Sequence, residues 1–412
     1  MLRSLTRTTV AATLAAAAAF SACAPAHPPA STVLPPAATA KGDIGTRGAE
    51  VLTWSQEQKE ANFPRMDSLF ASRIVSRGAR ARLLPVGSPL APFAPGGARK
   101  VMLDDYIVAR KVAGLLVLHD GKIRLERYAL GHSPTGRWTS FSVAKSLTST
   151  LVGAAIKDGS IASLDDPIVR YIAELRGTAY DGVTVRQLLT MTSGVAFNED
   201  YADPESDIAR LYREPPDSGV DATVSYVRKL SREAEPGTKW RYKTPETNLV
   251  GVLVMAATGK TLSQYLSEKI WQPFGMEGDA TWSVDHVGHE QGGCCLQARL
   301  RDFARVGQFV LEGGRVGGIS VVAEGWFEAA TSKQADTGTQ GGGYGYQWWT
   351  SDDGTFQARG IFGQLIHLDP ARRLVVVMSS AWPVATGREQ SQARSALILE
   401  ITRAIDAERE AR

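Results

Sequence analysis

Apolar runs at the two ends of the chain predict a β-sheet. Residues 112–118 form a continuous apolar run, a His-Asp-Gly turn follows, and residues 123–130 alternate, which together predict an antiparallel hairpin. Four further runs near the C terminus read as strands, at residues 344–350, 356–359, 365–368 and 374–379. Strands are therefore expected at both ends of the chain.

Helical patterns fill the middle of the chain and its last part. Apolar residues at helical spacing predict helices over residues 142–157, 185–189, 262–270, 301–311 and 391–408, and another helix starting near Asn248. No internal repeat is visible. The pattern predicts an α/β (α+β) sandwich, in which one antiparallel sheet closed by both termini is flanked by helices and a helical lobe is inserted at about 150–310.

The N-terminal residues 1–23 have the arrangement of a secretory leader. Two arginines precede an apolar run over residues 10–20, and small residues lead to Cys23. The run is shorter than the about 20 residues that span a bilayer. Small residues ending at a Cys resemble a bacterial lipobox, in which Cys23 is lipidated; ordinary cleavage near residues 22–26 is the alternative. We expect an exported, periplasmic protein that contacts the membrane only through this lipid anchor.

Composition divides the remaining chain into a tether and a folded region. Residues 24–50 are rich in Pro, Ala and small polar residues and cannot bury enough surface to order themselves, whereas residues 51–412 have globular composition. The 46 basic and 43 acidic residues are too balanced to indicate a nucleic-acid partner. Three cysteines give no disulfide framework, and the adjacent Cys294 and Cys295 are predicted to be structural thiols in an interior turn.

The candidate chemistry centres on Ser142-Val143-Ala144-Lys145, at the start of an apolar helix. A spacing of three places the hydroxyl and the amine on one helical face. The helix N terminus offers N–H groups to a developing oxyanion. A lysine held against the core has a lowered pKa and can accept the serine proton. The pattern therefore favours a serine nucleophile that works without histidine.

Two further segments complete such a site. Tyr242 follows a Pro-Gly turn and can relay the proton to a leaving group; packing at an interface is the alternative for a lone tyrosine. Residues 358–364 contain glycines that allow a strand edge to approach closely and to supply a second oxyanion N–H. His367 and Asp369 suggest a catalytic triad, but no Gly-x-Ser-x-Gly elbow accompanies them.

The set resembles the serine β-lactamase and penicillin-binding protein superfamily, of class C β-lactamase type, and within it the 6-aminohexanoate-dimer hydrolase group. The resemblance runs from about 65 to 400. The stretches that carry it are RWTSFSVAKS from Arg137, LLTMTSGV from Leu188, WSVD from Trp282, GGCC from Gly292, Arg301-Asp302, and YGYQWW from Tyr344.

The resemblance implies a role for five residues. Ser142 matches the nucleophile, Lys145 its proton partner, and Tyr242 the tyrosine of the family's Tyr-x-Asn or Tyr-x-Ser motif. Tyr201 falls where the dimer-hydrolase group places a tyrosine that holds the substrate amide, although an ordinary loop aromatic is an equal alternative. The N–H groups of Ser142 and Ile361 would form the oxyanion hole.

Two positions depart from the β-lactamase pattern. Thr244 stands where Asn is usual, and Ala358-Arg359-Gly360 replaces Lys-Thr-Gly, the site for the drug carboxylate. Thr244, Arg359 and Gly360 are candidate substrate-binding residues, with Arg359 either holding a carboxylate or pointing to solvent. These departures put penicillin turnover in doubt and leave acyl transfer intact.

The sequence therefore predicts a serine hydrolase for a small ester or amide substrate, with no cofactor and no metal. His286 and His289 lie near Asp285 and Glu290, at a spacing that favours a solvated loop over a zinc site. A penicillin-binding D-Ala-D-Ala carboxypeptidase, a β-lactamase and a non-catalytic cell-envelope binding protein remain alternatives.

Overall fold

A computed structural model describes residues 42–411 of the chain. The strands, in chain order, are β1 Ser72–Val75, β2 Val112–His119, β3 Lys122–Tyr128, β4 Trp138–Thr139, β5 Ala280–Ser283, β6 Leu296–Ala298, β7 Arg315–Val316, β8 Ile319–Ser320, β9 Gly342–Tyr344, β10 Trp349–Ser351, β11 Phe356–Gly360, β12 Gln364–Asp369 and β13 Leu374–Ser380.

The helices follow the same order. They are α1 Ile44–Arg47, α2 Gln56–Asn62, α3 Met66–Leu69, α4 Lys100–Ala109, α5 Ala144–Lys157, α6 Val185–Leu189, α7 Asp207–Leu211, α8 Ala222–Val227, α9 Thr244–Thr258, α10 Leu262–Leu266, α11 Gln272–Phe274, α12 Leu300–Leu311, α13 Trp326–Ala330 and α14 Arg388–Glu410. A π-helical segment, Ser267–Trp271, joins α10 to α11.

Seven strands form one antiparallel sheet in the order β3-β2-β13-β12-β11-β10-β9. The predicted hairpin of β2 and β3 is confirmed, and β2 also pairs with β13, so that His119 lies opposite Leu374. The sheet is thus closed by segments from both ends of the described chain, as the hydrophobic pattern predicts.

Both faces of this sheet are covered by helices. Leu115 and Val117 of β2 pack with Ile401 of α14, whereas Leu116 and Leu118 pack on the other side, in the cluster that contains α5 and α12. Burial on both faces explains why β2 is apolar at successive positions instead of alternating. The predicted sandwich of an antiparallel sheet flanked by helices is confirmed.

The prediction of one strand over residues 344–350 is wrong. The chain forms two strands, β9 and β10, which pair so that Tyr344 lies opposite Trp349. Between them the Gly345 N–H donates to the Trp348 carbonyl at 2.8 Å, and Gln347 adopts a φ of 65°. Hydrophobicity alone does not reveal this turn, because the Tyr and Trp residues within it are as buried as those of a strand.

A second, smaller sheet has the order β1-β5-β6-β4. Two of its strands, β5 and β6, lie within the region expected to be helix and loop. They are only four and three residues long and fully buried, so neither shows the alternation that marks a longer strand. This sheet carries the chain into the turn before Ser142.

The N-terminal part of the described chain packs onto the sheets. Residues 44–50, assigned by composition to the tether, are part of α1 and of a 3₁₀ turn, Gly48–Thr53. The leader with Cys23 lies outside the described residues. Within residues 42–411, no single helix has the length and apolarity of a membrane span; α9 with Leu262–Phe274 passes only as a pair bent by 77°.

Candidate active site

The candidate nucleophile lies at a tight turn that begins α5. Phe141–Val143 form one 3₁₀ turn, and the α-helix continues from Ala144. Ser142 is 8% exposed and Lys145 only 1%. One helical turn separates the two side chains, and Lys145 Nζ lies 3.2 Å from Ser142 Oγ. The spacing therefore brings the hydroxyl and the amine together as expected.

Three acceptors hold the Lys145 ammonium in place. Besides Ser142, it donates to Thr244 Oγ1 at 3.0 Å and to the Gly293 carbonyl at 2.7 Å. Asn248 Oδ1 accepts from the Gly293 N–H at 2.8 Å and fixes that carbonyl. Helices α5 and α9 and the turn before β6 thus converge on one amine.

The protein environment lowers the pKa of the Lys145 amine toward neutrality. Burial lowers the pKa of Lys145 to about 7, against the opposing influence of the Glu199 carboxylate, which raises it. A lysine with such a pKa is substantially neutral at pH 7 and can accept a proton. Burial is the dominant cause, since the side chain is enclosed by the core.

Tyr242 approaches the nucleophile from the loop before α9. Its ring stacks on Trp349 at 5.6 Å between centroids, and Lys145 Nζ lies 5.3 Å from the ring centroid. The Ser142 hydroxyl is close enough to influence its pKa. Burial raises the pKa of Tyr242, and Glu199 raises it further, whereas the Ser142 contact lowers it. The hydroxyl therefore stays protonated near neutral pH.

Glu199 is a member of this site that sequence reasoning missed. Its carboxylate accepts from the Tyr201 hydroxyl at 2.5 Å and from both the hydroxyl and the N–H of Thr244. Burial raises its pKa, whereas Lys145 lowers it. It lies in an irregular loop beside Tyr201 without a motif around it, so the only available signal was a carboxylate two residues from a candidate tyrosine.

The backbone at the end of β11 lies close to the turn that contains Ser142. A Cβ added to Gly360 would lie 2.6 Å from the Ser140 carbonyl oxygen and 3.1 Å from the Ser142 nitrogen. The end of β11 thus touches the turn that carries the nucleophile, and Ile361 follows directly. Gly360 allows this close approach because it has no side chain, and its role in substrate binding stays a prediction.

Two phenylalanines in left-handed conformation flank the two proposed oxyanion-hole residues. Phe141 has φ 42° and precedes Ser142; Phe362 has φ 59° and follows Ile361. Their ring centroids lie 5.3 Å apart, and Phe63 contacts both rings at 5.0 and 5.4 Å. Such backbone conformations cost on the order of 1–3 kcal/mol each in bulky residues, and ring packing holds them.

Arg359 contacts Gln357 and Trp349. Its Nε donates to Gln357 Oε1 at 2.8 Å, and its guanidinium lies 5.1 Å from the centroid of Trp349. Burial lowers its pKa. Within residues 42–411 no carboxylate forms an ion pair with it. The side chain supports the ring on which Tyr242 stacks.

The prediction of two free thiols is wrong. Cys294 and Cys295 form a disulfide with each other. Cys295 has φ 69°, a left-handed conformation that turns the two neighbouring side chains toward one another. The bridge follows Gly293, whose carbonyl accepts from Lys145.

The prediction of a solvated loop is also wrong for Asp285 and Glu290, which are buried. Asp285 accepts from the N–H groups of Ala222 and His289 at 2.9 and 2.8 Å. Polar ligand atoms of Asp285, Asp221 and His289 lie within 4.8 Å of one another. The carboxylates are engaged by main-chain groups, so the cluster joins this loop to the start of α8.

A small cavity of about 50 Å³ opens beside Ser142. Tyr201, Thr244, Ile361 and the disulfide are part of its wall. Most of the remaining lining is apolar, contributed by Ile44, Val51, Leu52, Met66, Phe141 and Ile208. The predicted residues Tyr201, Thr244 and Ile361 thus meet Ser142 at one cavity, and Arg359 does not line it.

Comparisons with known proteins find relatives of this chain. A family model described as Beta-lactamase matches residues 103–400. The 6-aminohexanoate-dimer hydrolase of Paenarthrobacter ureafaciens is 33% identical over 308 residues, which cover 71% of this chain and 78% of that protein. A Beta-lactamase of Pseudomonas fluorescens is 27% identical over 40% of this chain and 45% of its own length.

A solved structure shows the same relationship. It belongs to Bacillus anthracis and carries the description of a candidate 6-aminohexanoate-dimer hydrolase; it superposes with a TM-score of 0.74 at 26% identity, covering 85% of this chain and 94% of the other. The fold and the sequence motifs therefore point to the same family.

Proposed function

The chain belongs to the beta-lactamase family and is an enzyme of the serine hydrolase type, and we propose that it cleaves an ester or amide bond through an acyl-enzyme on Ser142. The observation that carries the proposal is the contact between Ser142 Oγ and the buried Lys145 Nζ at 3.2 Å. A serine next to an amine whose pKa burial lowers to about 7 is an activated nucleophile.

In the first half-reaction, Ser142 Oγ attacks the substrate carbonyl carbon and its proton passes to neutral Lys145. The N–H groups of Ser142 and Ile361 stabilise the oxyanion, each such donor being worth about 3–4 kcal/mol of barrier. The proton then reaches the leaving group through the Tyr242 hydroxyl, the carbonyl re-forms, and the leaving group departs.

In the second half-reaction, water attacks the acyl-enzyme carbonyl. Tyr242 and Lys145 take the water proton and return it to Ser142 Oγ as the acid is released. The same three groups thus serve both directions of proton transfer, as microscopic reversibility requires. Glu199 supports the set by accepting from Thr244, which itself accepts from Lys145.

Intact-protein mass spectrometry tests the proposal. The purified protein is exposed briefly, in separate tubes, to p-nitrophenyl butyrate, to a fluorophosphonate and to a penicillin. We expect one adduct with the ester that is then released, and one stable phosphonyl adduct. Ser142→Ala removes both and lowers ester turnover by more than about a thousandfold. The matched control is Ser149→Ala on the same helix, whose hydroxyl donates to the Tyr346 carbonyl.

Other outcomes select the alternatives. A lasting penicilloyl adduct would indicate a D-Ala-D-Ala carboxypeptidase, and rapid release of hydrolysed penicillin would indicate a β-lactamase. No adduct with any reagent would contradict catalysis and favour a binding protein. Ala358 and Arg359 favour an ester or amide substrate over a β-lactam, because Ala358 replaces the lysine of Lys-Thr-Gly and the Arg359 guanidinium is held by Gln357 and Trp349.

We also propose that the chain is exported and lipidated at Cys23, which supports a periplasmic, membrane-tethered enzyme. The basic start, the short apolar run and the small residues before the cysteine support this proposal. Cys23→Ser is expected to move the protein from the detergent phase to the aqueous phase on phase partitioning. An unchanged distribution would contradict lipidation.

A further inference from the structure

The wall of the cavity beside Ser142 is uncharged. Fourteen of the described residues line it, and none of them is a Lys, Arg, Asp or Glu. The polar contributions come from hydroxyl groups, such as those of Thr244 and Tyr212. A substrate group that enters this cavity meets apolar side chains and no counterion.

The charged groups nearest to the cavity are already engaged. Glu199 accepts hydrogen bonds from Tyr201 and twice from Thr244, and Lys145 donates to three acceptors. Arg359 is held by Gln357 and Trp349. An ammonium or carboxylate on the substrate would be buried there without a partner, which is costly.

A segment near the start of the described chain, residues 44–52, builds one side of this wall. Ile44 and Val51 are 2% and 4% exposed. The Ala49 N–H donates to the Tyr212 carbonyl at 3.3 Å, and a Cβ at Gly48 would lie 3.2 Å from the Tyr212 ring. The segment is therefore fitted closely against the helical region, and its apolar side chains close the cavity.

The cavity lies on the acyl side of the scissile bond. In the proposed reaction Tyr242 protonates the leaving group, so the leaving group must lie next to that hydroxyl. Tyr242 does not line the cavity, whereas Ser142 and Ile361 do. The part of the substrate that extends away from Tyr242, which is the acyl chain, therefore enters it.

We propose that this enzyme is specific for esters with an uncharged, apolar acyl chain, and that the segment of residues 44–52 sets that specificity. The inference rests on the proposed function, because it needs Ser142 as the nucleophile. The proposal excludes substrates whose acyl chain carries a charge. Each additional methylene should gain binding in the transition state until the cavity is filled.

The test uses a series of p-nitrophenyl esters, namely acetate, butyrate, hexanoate and octanoate, together with the p-nitrophenyl monoester of adipic acid. We expect kcat/KM to rise about fourfold per methylene over the first members of the series. The adipate monoester should be at least about tenfold poorer than the hexanoate. A second series of acetate esters with lengthening alkyl alcohols should vary little.

A variant that adds a cation to the cavity wall tests whether the missing charge sets the preference for uncharged acyl chains. Leu52→Arg places a guanidinium in the wall and is expected to raise kcat/KM for the adipate monoester relative to hexanoate by about tenfold. The matched control is Val101→Arg on α4, where the valine is 69% exposed and does not line the cavity; its ratio should equal that of the parent.

The outcomes separate the two proposals. Turnover of the acetate ester with a flat or falling acyl series, a preference for the adipate monoester, or length dependence only in the alcohol series would overturn this inference and leave the proposed function standing. Absence of any adduct on Ser142 with the esters and with the fluorophosphonate, or retained cleavage in Ser142→Ala, would overturn both.

Discussion

The backbone around the nucleophile leaves no space for a side chain at residue 360. Gly360→Ala would place its Cβ 2.6 Å from the Ser140 carbonyl oxygen and 3.1 Å from the Ser142 nitrogen, so the end of β11 must move outward and carry the Ile361 N–H with it. Loss of one oxyanion donor costs about a hundredfold to a thousandfold in kcat. We expect a loss of that size, with KM changing less.

The control for Gly360→Ala lies in the same sheet. Gly342 of β9 is bordered by the Thr350 carbonyl at 3.3 Å and lies two strands away from β11. Gly342→Ala should leave steady-state kcat within about twofold, because it moves no oxyanion donor. Equal kcat in the two variants would refute the proposed contribution of Ile361.

The pH dependence of the reaction follows from the pKa of Lys145. The amine must be neutral to accept the Ser142 proton, so kcat/KM should rise with pH through an acid limb near pH 7, the pKa of about 7 that burial gives. Glu199 raises this pKa. Glu199→Gln removes its charge, and the limb should therefore move to lower pH whatever happens to the plateau. A limb that stays in place would exclude this coupling.

Sequence reasoning was effective for residues whose chemistry depends on local spacing. Ser142 and Lys145 are one helical turn apart, so their contact follows from helix geometry alone. Glu199 is 45 positions from Thr244, and its contact depends on the path of a loop that no periodicity describes. The disulfide was missed because it depends on one left-handed residue, Cys295, which the sequence does not report.

At the scale of single elements, a buried ion pair anchors the first turn of α9. Lys243 and Glu246 are 1% and 0% exposed and lie 2.8 Å apart, and Lys243 also donates to Ser193 Oγ and the Val195 carbonyl. The pair ties the helix that follows Tyr242 to the loop containing Ser193. Burial raises the pKa of Glu246, while Lys243 opposes that rise.

Removing one partner of this pair should cost more than removing both. Lys243→Met leaves a buried carboxylate without its cation and is expected to lower the free energy of unfolding by about 3–5 kcal/mol. Lys243→Met with Glu246→Leu should recover most of that loss, because no uncompensated charge remains. Urea unfolding of the parent, the single and the double variant measures this; a double variant as unstable as the single one would contradict the explanation.

Element boundaries show where pattern reasoning works. Long, strongly patterned segments such as α12 and β2 were located to within one residue, because many side chains report the same period. Short elements were lost: β5 and β6 have four and three residues, too few for any period to be visible. Helix α9 begins at Thr244 instead of near Asn248, since Pro245 occupies its first turn and initiates it.

At the scale of the molecule, the C-terminal helix α14 covers the face of the sheet that lies away from the active site. Ile401 and Ile405 are fully buried against it, whereas Leu399 on the same helix is 49% exposed. The strands β2 and β13 come from distant parts of the chain and pair with each other, and this helix covers that pair.

Truncation of one buried residue tests the role of α14. Ile401→Ala should lower the free energy of unfolding by about 2–5 kcal/mol while leaving kcat/KM for an ester nearly unchanged, because the cavity lies on the other side. Leu399→Ala is the matched control and should cost no more than about 0.5 kcal/mol. Thermal or urea unfolding measures both, and equal effects would contradict the packing described.

The pairing of β2 with β13 also governs when activity can first arise during synthesis. The cavity needs Ile44 from the start of the described chain, Ser142 from its first half and Ile361 from near its end. The strand that joins the sheet's two halves is made last of all the strands. Until β13 has been made, a nascent chain therefore lacks the strand that joins the two parts of the sheet beside this cavity. Such non-local pairing also makes assembly slow compared with helical proteins of similar size.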